Sequence, residues 1–155
     1  MERQSMVNLR KRAMMNENKA KAFMRGLKRL DSIIIYKQRQ LEELRTQAEK
    51  ITAEMNPDRV QTSNANSRES LLTKIADLDV EIERDIKFYC IEQRQAMGLI
   101  DSLEDSDHIE ILTKRYLERK DWGNIAVGMG YEVRQVYRKH GRALQELNKL
   151  LERCQ

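Results

Sequence analysis

Three arginines, Arg134, Arg138 and Arg142, recur every four residues near the carboxyl end of this 155-residue chain. Between Val133 and Gln145 there are four basic residues and no acidic one, Lys139 being the fourth. On a helix that spacing points the three arginines the same way. A guanidinium is a planar fork of donors that grips an anionic or acceptor-rich edge at two points, so a row of them is equipped to bind a polyanion. Early positions of such a helix would meet base edges of double-stranded DNA and later ones its phosphates. Gln135 and Tyr137 flank the row, and Lys139 can lay its stem along apolar surface with its amine in water, facing phosphate. The expected DNA-binding set is Arg134, Gln135, Tyr137, Arg138, Lys139 and Arg142.

Bond-making chemistry has no comparable set. The sequence offers no glycine-rich phosphate loop, no nucleophile beside a base and no clustered metal ligands. Paired acids such as Glu42-Glu43 and Glu81-x-Glu83 fall on the outer faces of expected helices, where nothing would desolvate them. His140 sits on an apolar stripe without a second ligand at metal spacing, and reads as a packed histidine. Trp122 likewise reads as core. Neither an enzyme nor a cofactor is expected. Cys90 and Cys154 stand apart, which suits a reducing cytoplasm.

The elements that would position the arginine row can be read just before it. Asp121 caps a short helix whose apolar positions are Ile125 and Met129 and whose small residue, Ala126, permits a close crossing. Gly130 ends that helix, in a backbone conformation that other residues resist, and Tyr131 anchors the turn. From Val133 an apolar stripe runs through Val136, His140, Ala143, Leu144, Leu147, Leu150 and Leu151 at steps of three and four. A helix of about 107–119, presenting Ile109, Leu112 and Tyr116, would close a three-helix core around this helix-turn-helix.

The pattern Trp122-x-x-Ile125-Ala126-x-x-Met129-Gly130-Tyr131-x-x-Arg134-x-Val136-Tyr137-Arg138-x-His140-x-Arg142-Ala143-Leu144, preceded by Leu112-Thr-Lys-Arg-Tyr-Leu117, resembles the region-4 helix-turn-helix of bacterial sigma factors. More closely, it is similar to small late-gene regulators of phages of Gram-positive bacteria, the ArpU and RinA type. The run Asp58-Arg-Val-Gln-Thr-Ser63 resembles members of that group that carry an N-terminal helical hairpin. The resemblance implies a phage-encoded transcription activator working with bacterial RNA polymerase. Two positions depart from the pattern: Glu132 stands where Ser or Thr usually caps the second helix, and Lys139 where an apolar residue is usual. Nothing upstream resembles the aromatic-rich segment with which a complete sigma factor melts promoter DNA.

The rest of the chain suits long exposed helices. Charged residues make up 35%, aromatics 5%, and there is one proline, which argues against a sheet sandwich or an α/β enzyme. Residues 1–30 hold nine basic and two acidic side chains, 31–106 ten and sixteen, 107–155 ten and seven, so both ends attract nucleic acid and the middle repels it. Residues 1–18 read as a basic arm with weak periodicity, which a solvated tail would also explain. Leu27, Leu30, Ile34, Lys37, Leu41, Leu44, Ala48, Ile51 and Met55 form a heptad seam, ended by Asn56-Pro57. A loop is expected over about 56–67. A second long helix, about 68–103, carries Leu71, Ile75, Leu78, Ile82, Ile86, Tyr89, Met97, Ile100 and Leu103. Two striped helices joined by a short polar loop fold back on one another.

The expected architecture is therefore all-α: a basic arm (1–18), an antiparallel coiled-coil helical hairpin (19–103) and a C-terminal helix-turn-helix domain (107–155). No apolar run approaches membrane-spanning length, and no membrane partner is expected. The hairpin leaves open pairing with a second copy of the chain or with polymerase. A DNA-packaging protein of the small-terminase type, also built from a helix-turn-helix and a helical hairpin, is the alternative. A coiled-coil adaptor that binds only protein is a third reading.

Overall fold

A computed structural model describes residues 19–54 and 62–153. Among these residues the chain is all-helical, with no strand. The elements are α1 (Lys19–Glu54), α2 (Thr62–Asp101), α3 (Ser106–Leu112) running into a π-helical turn (Thr113–Leu117), α4 (Trp122–Met129) and α5 (Val133–Arg153). The basic arm, Met55, the Asn56-Pro57 stop and the first four residues of the Asp58–Ser63 run lie outside the described residues. No helix among those described is long and apolar enough to cross a membrane.

The expected 56–67 loop is too long at its carboxyl end, because α2 already begins at Thr62. The residues 62–67 are mostly polar but include neither glycine nor proline, so nothing in them breaks a helix already stabilised downstream.

The chain divides into two compact units, residues 29–90 and a second made of the first turns of α1 together with 91–153. In the 29–90 unit the seam is filled as its spacing predicts: Ile34, Leu41, Leu71 and Ile82 are buried, with Leu30, Leu44, Ile75 and Leu78 partly so. Lys37, a polar residue in that seam, has a specific partner. Its Nζ donates to Asp85 at 2.6 Å and lies 3.1 Å from Glu81, and the Asp85 hydrogen bond is the main reason its pKa is raised. Arg45 reaches Asp79 at 3.2 Å. Partner numbers fall on α2 as they rise on α1, and a charged pair within an apolar seam admits one register in preference to others. Ile86 departs from the expected stripe and is 37% exposed.

In the other unit Ala96 and Ile100 are buried, whereas Met97, expected on the apolar stripe, is 48% exposed. A small side chain there lets α2 be packed closely, and Met97 lies one position round the helix. The first described turn of α1 is tied in by a buried contact, the Ala20 amide donating to Asn148 Oδ1 on α5 at 3.2 Å. Ala20, Met24 and Leu27 are buried behind it. Asp105 caps α3, its carboxylate accepting from the amides of Asp107 and His108. Ile111, Ile125, Ala126 and Val136 form the core shared by α3, α4 and α5, with Trp122, Met129 and Tyr131 packed against it.

Candidate functional site

The backbone that sets the arginine row is built from three local devices. Asp121 caps α4, accepting from the Asn124 amide at 2.9 Å, and that hydrogen bond is the first reason its carboxyl is held below the usual range. Gly130 ends α4 at φ 69°, ψ 29°, where a side chain would be strained, and the Tyr131 amide donates back to Ala126 O at 3.0 Å. At the start of α5 the Gln135 side chain accepts from the Glu132 amide at 3.1 Å. This is half of a capping box, supplied from the third helical position because the cap residue is glutamate.

Beyond that turn the expected residues part company. Arg134, Arg138 and Arg142 are exposed on one side of α5, and among the described residues none has a hydrogen bond or carboxylate partner. Val136, Ala143, Leu144 and Leu147 are buried on the other side. Gln135 is exposed but is engaged with the helix start. Lys139 donates to Asp107 Oδ2 at 2.8 Å and sits 4.9 Å from the centroid of the Tyr131 ring, so its part-exposed amine has a carboxylate partner as well as water. Tyr131 donates to the same oxygen at 2.7 Å. These two donors, Lys139 first, hold the Asp107 carboxyl below the usual carboxylate range. The amine therefore finds its counter-ion on α3, and the lysine at this normally apolar position fastens two helices together.

Tyr137 is half exposed, and its ring centroid lies 4.8 Å from that of Trp122. Together with His140 and Tyr116 these rings wall a pocket of about 480 Å³. His140 meets Trp122 edge-on at 4.8 Å, and its Nε2 lies 3.0 Å from the Tyr116 hydroxyl. Burial, with Arg115 and Lys21 nearby, holds the imidazole pKa down to about 4, so near neutrality the ring is uncharged and shares a neutral hydrogen bond with the Tyr116 hydroxyl. The remaining wall is cationic: Lys21, Arg25 and Lys28 from α1, and Arg115 from the π-helical turn. The Arg115 guanidinium lies 4.4 Å from the Trp122 ring centroid and donates to Lys120 O at 3.1 Å. Lys28 is held below the usual lysine range by burial and then by Arg115.

This pocket was not anticipated. Lys21, Arg25 and Lys28 share a helix face at steps of four and three, the same signal that picks out the α5 arginines, but their meeting with Arg115 depends on contacts such as Ala20 to Asn148, 128 residues apart. Among the described residues no group of three or more histidine, cysteine or carboxylate side chains could hold a metal ion.

Comparison with protein-family models, with characterised proteins and with solved structures finds no match for this chain.

Proposed function

We propose that the chain is a sequence-specific DNA-binding regulator of transcription, with α4 and α5 as a helix-turn-helix, and α1 and α2 as an antiparallel coiled-coil hairpin. The observation that carries this reading is the row Arg134, Arg138, Arg142. The three are exposed together, held beyond a glycine-hinged turn, and none is neutralised by a neighbouring acid among the described residues. Three guanidinium groups left in water at one-turn intervals cost little and offer donors at a spacing a duplex can use. Lys139 drops out of the contact set, and Gln135 acts first as a helix cap. The readers of sequence are then Arg134 and Arg138, with Tyr137 beside them and Arg142 toward the phosphates.

The resemblance to sigma region 4 supports a partnership with bacterial RNA polymerase in the cytoplasm, and a phage late-gene promoter as the setting. Selection of fragments bound from bacterial and phage DNA tests the reading. A recurrent motif, retained by the full chain and lost when Arg134 and Arg138 are both alanine, is the expected result; recovery of fragments without a shared motif overturns sequence-specific binding. Mass in solution separates this reading from a packaging protein, which would assemble as a ring of many subunits rather than a monomer or dimer.

A further inference from the structure

We infer that the pocket between Lys21, Arg25, Lys28 and Arg115 on one side and Trp122, Tyr137 and His140 on the other is a binding site for a phosphate ester. Four cationic side chains line it and no carboxylate does. Bringing like charges to one concavity is unfavourable, and the cost is relieved when a compact polyvalent anion enters. Burial first, and the Arg115 charge second, hold Lys28 below the usual lysine range. An isolated metal cation would be repelled, and an uncharged ligand would leave the crowding in place.

The aromatic wall argues for an ester over inorganic phosphate alone. At about 480 Å³ the space lies within the ordinary range of small-ligand pockets. His140 adds no charge of its own, and its ring with Tyr137 and Trp122 offers apolar and π surface to a sugar or base. The chemistry, phosphate against guanidinium and ammonium with an organic part against rings, is shared by a nucleic-acid strand and a free nucleotide. Tyr137 belongs both to this wall and, three residues after Arg134, to the flank of the arginine row, so a duplex lying on α5 is one way to deliver that phosphate.

Trp122 is the only tryptophan in the chain and stands in the pocket wall, so its emission reports occupancy directly. The full chain is titrated with ATP, with pyrophosphate and with a short duplex, following that emission. A saturable change with ATP or the duplex is expected, weakened roughly tenfold or more by Arg25→Ala and abolished by Arg25→Glu, with helicity by circular dichroism unchanged. Arg25 is exposed on a helix surface, so its replacement should leave the fold intact, and Lys21→Glu serves as a second, independent variant. A change with the duplex alone assigns the site to a nucleic-acid strand; a change with ATP that the duplex does not reproduce assigns it to a free nucleotide. No saturable change with any of the three probes, or equal binding by Arg25→Glu, overturns the inference. Free ATP reports on the pocket without DNA, so the α5 reading and the pocket fail separately.

Discussion

Lys139 Nζ and Asp107 Oδ2 lie 2.8 Å apart, joining a residue in the second turn of α5 to the first turn of α3. The contact ties α5 to α3 and helps to fix the angle at which α5 leaves the core. Tyr131, in the turn between α4 and α5, donates to the same oxygen, so three segments meet at one carboxylate. Lys139→Ala is therefore expected to lower the thermal midpoint by on the order of a few degrees while leaving the preference among DNA sequences unchanged. Thermal unfolding beside competition binding checks this. A variant as stable as the parent but weaker on every sequence would return Lys139 to the phosphate-contact set.

Arg138→Ala should behave in the opposite way. The side chain is exposed and unpartnered among the described residues, so stability should stay within roughly 0.5 kcal/mol of the parent. Affinity for a selected site should fall by about 1–3 kcal/mol if the guanidinium reads a base. Anisotropy titrations on matched and scrambled duplexes give both numbers, and an equal loss on the two would make Arg138 a phosphate contact.

Gly130 carries the turn by its backbone alone. A Cβ built there meets nothing within 4 Å, so crowding is not what excludes a side chain; the φ of 69° is. Gly130→Ala should cost roughly 1–2 kcal/mol in urea unfolding, and Gly130→Asn, which tolerates this conformation better, should cost less. Equal loss in the two would point to a cause other than φ.

Stability should fall with acid in a window set by His140. The native ring is held down to about 4, whereas its ordinary value is 6.5. Between those values the unfolded chain takes up a proton that the folded chain refuses, so stability present above about pH 6.5 is lost as pH falls toward 4. The ring is partly open to solvent and screened, which limits the loss to roughly 1–2 kcal/mol. Further acid then protonates Glu146, held below its usual range by the Glu104 amide and then by His108, and stability declines again. Denaturation midpoints at several pH values, with His140→Gln as the flattened control, measure the first step. No difference between the two proteins from pH 6.5 to 4 would contradict it.

Much of this was legible because it is local. Asp121, Ala126 and Gly130 lie within ten residues, and each acts on the backbone beside it, so their spacing already places the cap and the turn. The seam through Leu27, Ile34 and Leu41 is legible for the same reason, since a heptad is a property of one helix. What escaped depends on partners far away in sequence. The partner of Lys139, Asp107, lies 32 residues away, and nothing in the sequence pairs the two. Ala96 and Met97 are adjacent apolar residues, and only packing decides which is buried. The π-helical turn, which adds a residue to the end of α3 and brings Arg115 to Trp122, leaves no pattern in Thr113–Leu117 that distinguishes it from an ordinary helix end.

The most direct measurement is the affinity of the full chain and of Arg134→Ala/Arg138→Ala for the same selected duplex, across a range of salt. The parent should bind with an affinity that falls steeply as salt rises, and the double variant should lose most of its preference for that duplex over a scrambled one while keeping its helicity. Identical binding by the two proteins would contradict a reading of DNA through α5.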